Sequence, residues 1–103
     1  MAWDITSAVY VSSKDVSAQD TQPFGVAFSG DGLMMFVIGN GNDRVYRYDL
    51  TAAWDITTAS YVSAFYVGSQ DFWPAGVTFS DDGTSMFMVG DVDNSVYRYD
   101  LAV

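Results

Sequence analysis

One stretch of this chain is written twice, and it constrains everything else. Gly25-Val26-Ala27-Phe28-Ser29-Gly30-Asp31-Gly32 returns as Gly76-Val77-Thr78-Phe79-Ser80-Asp81-Asp82-Gly83, and Val45-Tyr46-Arg47-Tyr48-Asp49-Leu50 returns as Val96-Tyr97-Arg98-Tyr99-Asp100-Leu101, each 51 residues on. Setting 2–52 over 53–103 needs no gap and makes 28 of 51 positions identical. Such a period is the mark of a repeat architecture. The chain therefore reads as one two-repeat unit over 1–103, with repeats 2–52 and 53–103, taken from or built as part of an array, and with Met1 added for expression.

Within each period the residues favour strands. Ser29-Gly30-Asp31-Gly32 and Ser80-Asp81-Asp82-Gly83 are hairpin sequences, because Asp-Gly supplies the positive φ of a tight turn. Residues 34–38 and 86–89 are apolar on both faces, which requires protein on both sides. Residues 44–50 alternate cleanly, with Tyr46, Tyr48 and Leu50 on one face. No segment carries an apolar stripe of helical period. The expected strands lie near 8–16, 24–29, 34–38, 44–50, 60–67, 75–80, 85–90 and 95–101.

Four short strands per period make one meander sheet with two uncovered faces, which has to stack on copies of itself. The fold class expected is all-β, a β-propeller of four-stranded antiparallel blades, two blades per chain. The second repeat ends after its third strand, and the chain opens with a spare one, 8–16. On this reading the N-terminal strand 8–16 completes a neighbouring chain's blade. Tyr10, Val11 and Val16 would meet Val96, Tyr97 and Tyr99 of the next copy, and a homotrimer or homotetramer ring would close by head-to-tail contacts.

Phe28-Ser29-x-Asp31-Gly32-x-x-Met35-Phe36-Val37, followed by Asp43-x-Val45-Tyr46-x-Tyr48-Asp49, resembles the repeat of YVTN and lactonase-type propellers over about 27 residues of each period. Gly30 and Asp81 stand where that pattern has proline, and Ala-Trp-Asp-Ile-Thr has no counterpart in it. The resemblance implies a propeller fold. The family's metal ligands map onto no position here.

Composition narrows the function classes. Thirteen acidic residues against four basic ones give a net charge of −9, and every acid is an aspartate. Nucleic acid and anionic membrane surfaces both require a basic footprint, so neither is an expected partner. Without histidine or cysteine there is no imidazole or thiolate for catalysis or metal ligation. We expect no enzyme activity, no catalytic residue, no metal site and no cofactor. The longest apolar run, 33–38, is far short of the ~20 residues of a membrane helix. No signal peptide follows Met1, and localisation stays open.

The candidate binding residues lie in loops that the strand order gathers at one end: 19–22, 40–43, 70–73 and 91–94. Phe72-Trp73 stands where the first repeat has Thr21-Gln22, so the repeat itself does not need aromatics there. Phe72, Trp73, Asp71, Asn40 and Asn42 are the expected ligand contacts. Asp31, Asp81 and Asp82 read as turn residues. The run Asp91-Val92-Asp93-Asn94-Ser95 is half a calcium loop without the glycine and glutamate of an EF-hand. Arg47 with Asp49 and Arg98 with Asp100 read as ion pairs, and Trp3 and Trp54 as packing on a sheet edge. Three functions follow in order: an assembly module whose activity is ring formation, a module that binds a glycan or a protein, and a fragment of a metal-dependent lactonase-like hydrolase.

Overall fold

The computed structural model describes residues 3–101. Met1 and the outer ends of the two repeats, Ala2 and Val103, lie outside them. Seven strands form, β1(Pro23–Phe28), β2(Met34–Gly39), β3(Arg44–Asp49), β4(Ser60–Tyr66), β5(Pro74–Phe79), β6(Ser85–Gly90) and β7(Val96–Asp100), with 3-10 turns at Ile5–Ser7 and Ile56–Thr58. Seven of the eight expected strands are present within a residue or two of their expected bounds. Among the described residues, no helix is long and apolar enough to cross a membrane.

The strands pair in chain order, antiparallel throughout, as a four-stranded sheet β1-β2-β3-β4 and a three-stranded sheet β5-β6-β7. The apolar run of β2 is used on both faces, as its composition requires. Met35 and Val37 join Tyr46, Tyr48, Leu50 and Ala59 in one cluster, with Val16 and Ile56 packed against it. Ile38 and Val45 face the other way and meet Val67, Met86 and Met88 between the sheets. Phe36 and Phe79 bridge the same gap with ring centroids 4.2 Å apart. Burying side chains of this size supplies about 2 kcal/mol each.

The propeller expectation is corrected here. The two sheets are separate, neither closed nor curled, and no radial set of blades or ring closure exists among the described residues. A sequence period specifies which strands form and in what order. It carries no information about the angle between successive sheets, and a radial arrangement depends on that angle. The repeat in the sequence is therefore not realised as a tandem-repeat propeller fold, and the YVTN/lactonase-type resemblance fails as a guide to it.

The expected strand at 8–16 is also corrected. After the turn at Ile5–Ser7 the segment is irregular, and Val9, Tyr10 and Val11 are exposed. Its copy β4 pairs with β3. Among the described residues, 8–15 have no such partner, and a strand is not formed by its own sequence alone.

Candidate functional site

The loop end of the sheets is built on two aspartates that sequence reasoning passed over or misassigned. Asp20 is 2% exposed. Its Oδ1 accepts the backbone N–H groups of Gln22 at 2.8 Å and Gly41 at 3.1 Å. Its Oδ2 accepts the N–H of Asn42 at 3.1 Å and the hydroxyl of Tyr46 at 3.0 Å. One carboxylate thus ties the loop before β1 to the loop between β2 and β3. Gly39 permits this approach, since a Cβ there would lie 2.5 Å from the carboxyl carbon.

Asp71 repeats the device in the second repeat. It accepts the N–H groups of Trp73 at 2.9 Å, Val92 at 3.3 Å and Asp93 at 3.0 Å. Burial works to raise its pKa, but the backbone donors of Asp93, Trp73 and Val92 outweigh it and hold the carboxyl below its ordinary value. Asp71 was expected to touch ligand, yet it is 2% exposed and occupied by backbone. The identity of Gln19-Asp20 and Gln70-Asp71, beside neighbours that differ, was the sequence signal for this role.

The other expected contacts divide. Asn42 is exposed, and its Nδ2 donates to the carbonyl of Gln19 at 3.0 Å. Asn40 points inward, and among the described residues its side-chain nitrogen and oxygen have no protein partner. Beside these loops Asp43, at φ 56°, also has a buried oxygen without a partner. Burial, then the charges of Asp20 and Asp71, push its carboxyl above the ordinary value. Phe72 is exposed, and Trp73 is 48% exposed.

Trp73 lines a cleft of about 550 Å³ with Phe24, Ala75, Val89, Gly90, Asp91 and Asn94. Phe24, 53% exposed, was missed. Its counterpart in the second repeat is Ala75, just as the counterpart of Trp73 in the first is Gln22. Two aromatic departures from the repeat, one from each half, therefore meet in one cleft. Asp91 and Asn94 put a carboxylate and an amide on its rim.

A larger space, about 880 Å³, opens between the sheets at the opposite end of the strands. Its walls include Phe28, Phe36, Phe65, Phe79 and Met86. Phe28 and Phe79 are each other's counterparts, as are Met35 and Met86 across the repeats. Phe28 and Phe79 are packing residues the repeat requires, Phe65 stands where the first repeat has Lys14, and the space is the widening edge of the inter-sheet core.

The expected interface residues also divide. Val16 packs on its own chain's cluster of Met35, Val37 and the tyrosines. Tyr97 donates to Asp93 at 3.2 Å, and Tyr99 lies edge-on to Phe65 with centroids 5.7 Å apart. Tyr10 and Val11 are exposed, and Val96 is 70% exposed. The ion pairs form as expected, Arg47 to Asp49 and Arg98 to Asp100, both at 2.9 Å, the first partly exposed and the second largely in solvent.

Among the described residues no group of three acidic, histidine or cysteine side chains is placed to hold a metal ion, which corrects the reading as a fragment of a metal-dependent hydrolase. Ring formation as the chain's activity is corrected with the propeller itself, since the closure it needs is absent among the described residues. No known protein family matches the chain, and no curated protein matches it either.

Proposed function

We propose that the chain is a non-catalytic binding module that takes a neutral, hydroxylated ring, a glycan residue, in the cleft between Phe24 and Trp73. The observation that carries this reading is the meeting, in one cleft, of two of the aromatics that break the repeat, one from each half. Phe24 and Trp73 are each aromatic in one repeat alone, about half-exposed, and line the same cleft. Sites for small organic ligands are concave, mostly apolar, and carry a few polar groups that fix orientation.

The chemistry supports a sugar over other ligands. An aromatic face packs against the apolar C–H face of a sugar ring, while the Asp91 carboxylate accepts hydroxyl protons and the Asn94 amide both donates and accepts. A net charge of −9 disfavours anionic ligands. The loop end has no imidazole or thiolate, and Asp91 is the one carboxylate residue lining the cleft where glycoside hydrolysis uses a pair, which supports binding without turnover.

The test is a titration of the intact chain with a panel of neutral oligosaccharides, followed by tryptophan fluorescence and calorimetry, beside Trp73→Gln. We expect saturable binding by the intact chain and its loss in Trp73→Gln at unchanged circular dichroism. No binding across the panel, or equal binding by the variant, would sink the reading.

A further inference from the structure

The second sheet has three strands where the first has four, and among the described residues the outer edge of β7 is unpaired. Unpaired edges are templates for strand addition. The same chain holds an exposed segment whose repeat counterpart fills that position in the first sheet. β4 pairs with β3 in a defined register, Arg47 opposite Ser63 and Tyr48 opposite Tyr61. Moved by one repeat, this puts Ser12 opposite Arg98 and Tyr10 opposite Tyr99. Tyr48 and Tyr61 meet edge-on with centroids 6.0 Å apart, and Tyr99 and Tyr10 are their respective counterparts.

A second, independent vacancy points to the same occupant. Trp54 seats its indole over Gly32 and beside Phe28, with ring centroids 5.6 Å apart. Its counterpart Trp3 has the same backbone, φ 71° against 64°, and the same turn after it. Asp4 accepts from Thr6 N–H at 3.1 Å, as Asp55 does from Thr57. Yet Trp3 is 98% exposed. The counterpart of its seat, Gly83 at φ 75°, has open space where a Cβ would point. One unseated tryptophan and one empty seat, beside an exposed segment and the free edge of β7, are matching halves of a contact already made once inside the molecule.

We propose that residues 9–15 of one chain add as an antiparallel strand to the free edge of β7 in a second copy, with Trp3 seated over Gly83 of the partner subunit. The contact is head-to-tail and joins two chains by strand addition alone. It requires no closed arrangement of sheets and does not depend on the Phe24–Trp73 cleft. Both surfaces belong to the same sequence, so the partner that fits them is another copy.

Two measurements test it. In a dilution series by native mass spectrometry and light scattering, the intact chain is expected to form species of more than one chain. Trp3→Ala, which removes a side chain almost wholly in solvent in the single chain, should raise the concentration needed by about tenfold, as truncating an aromatic anchor does. For the register, Ser12→Cys and Arg98→Cys are prepared separately and mixed under oxidation; the chain has no native cysteine to compete. A mixed disulfide between chains is expected, while Ser13→Cys, one residue along and on the other face, should cross-link poorly with Arg98→Cys. A single chain at every concentration, an association indifferent to Trp3→Ala, or equal cross-linking at residues 12 and 13 would each overturn the proposal.

Discussion

The backbone N–H of Trp54 donates to the carbonyl of Gly32 at 2.9 Å, and its indole occupies the space a Cβ on Gly32 would need. Gly32 also sits at φ 74°, where a side chain is strained. Two penalties meet at Gly32, and only the strain applies at Gly83 in a single chain. In a Trp3→Ala background, Gly83→Ala should cost about 1 kcal/mol and Gly32→Ala about 2 kcal/mol more. Urea unfolding of the two variants measures the difference; equal costs would mean the indole moves aside freely.

Asp20 carries three backbone donors and one hydroxyl, all of which lose their acceptor in Asp20→Ala. Leaving such donors without a partner should cost about 3 kcal/mol in chemical denaturation. Asp20→Asn retains one oxygen and should fall between. Wild-type stability in Asp20→Ala would show that the loops close without the carboxylate.

Asp71 sets an acid limit. Its native pKa is lowered, so its stabilisation is complete above the ordinary carboxylate value of 3.8 and is lost as pH falls below that through the lowered native value. Tm should drop over that acid range, and Asp71→Asn should flatten the drop while lowering Tm at neutral pH. An unchanged acid limb in the variant would assign it to other carboxylates.

Asp43 works with the opposite sign. Its raised native pKa means that its contribution is favourable below 3.8 and is lost as pH rises through the raised value. At neutral pH the buried charge is a cost. Asp43→Asn should therefore raise Tm at pH 7, with the gain shrinking in acid. The backbone tolerates the change, since Asn94 stands at the counterpart position with φ 55°. A lower Tm at neutral pH would show that the carboxylate is satisfied in solution.

Phe24 and Trp73 should act on one ligand as a unit. Phe24→Ala and Trp73→Gln should each weaken glycan binding about tenfold or more, and the double variant less than the product of the two. Strict multiplication of the two losses, measured by calorimetry, would place the side chains on separate sites.

The strands were legible because their signals are local: Asp-Gly at the hairpins, alternation in 44–50, apolar residues on both faces of 34–38. Residues 8–16 carry the alternation of a strand, yet no strand forms, because pairing depends on what lies alongside. The relation between the sheets was illegible for the same reason, being set by the packing of Phe36 on Phe79 and of Ile38 among Met86 and Met88. At the candidate site, Trp73 was found by comparing the repeats, and the same comparison at Phe24 and Ala75 would have found its partner. In sequence Asp71 reads as a ligand contact, because an aspartate beside exposed aromatics gives no sign of which way its carboxylate turns.

The two-sided burial of β2 also leaves that strand with an alignment problem. A slip of one residue against β1 would exchange Met35 and Val37 for Phe36 and Ile38, trading one apolar set for another at small hydrophobic cost, so burial alone does not choose the alignment. The choice falls to the hairpin. Ser29 Oγ donates to Asp31 at 2.7 Å and accepts the N–H of Met34 at 3.0 Å, while Asp31 accepts the N–H of Leu33 at 3.0 Å. Three hydrogen bonds within six residues thus decide which methionine enters which core, and Ser29 and Asp31 act as the molecule's alignment key.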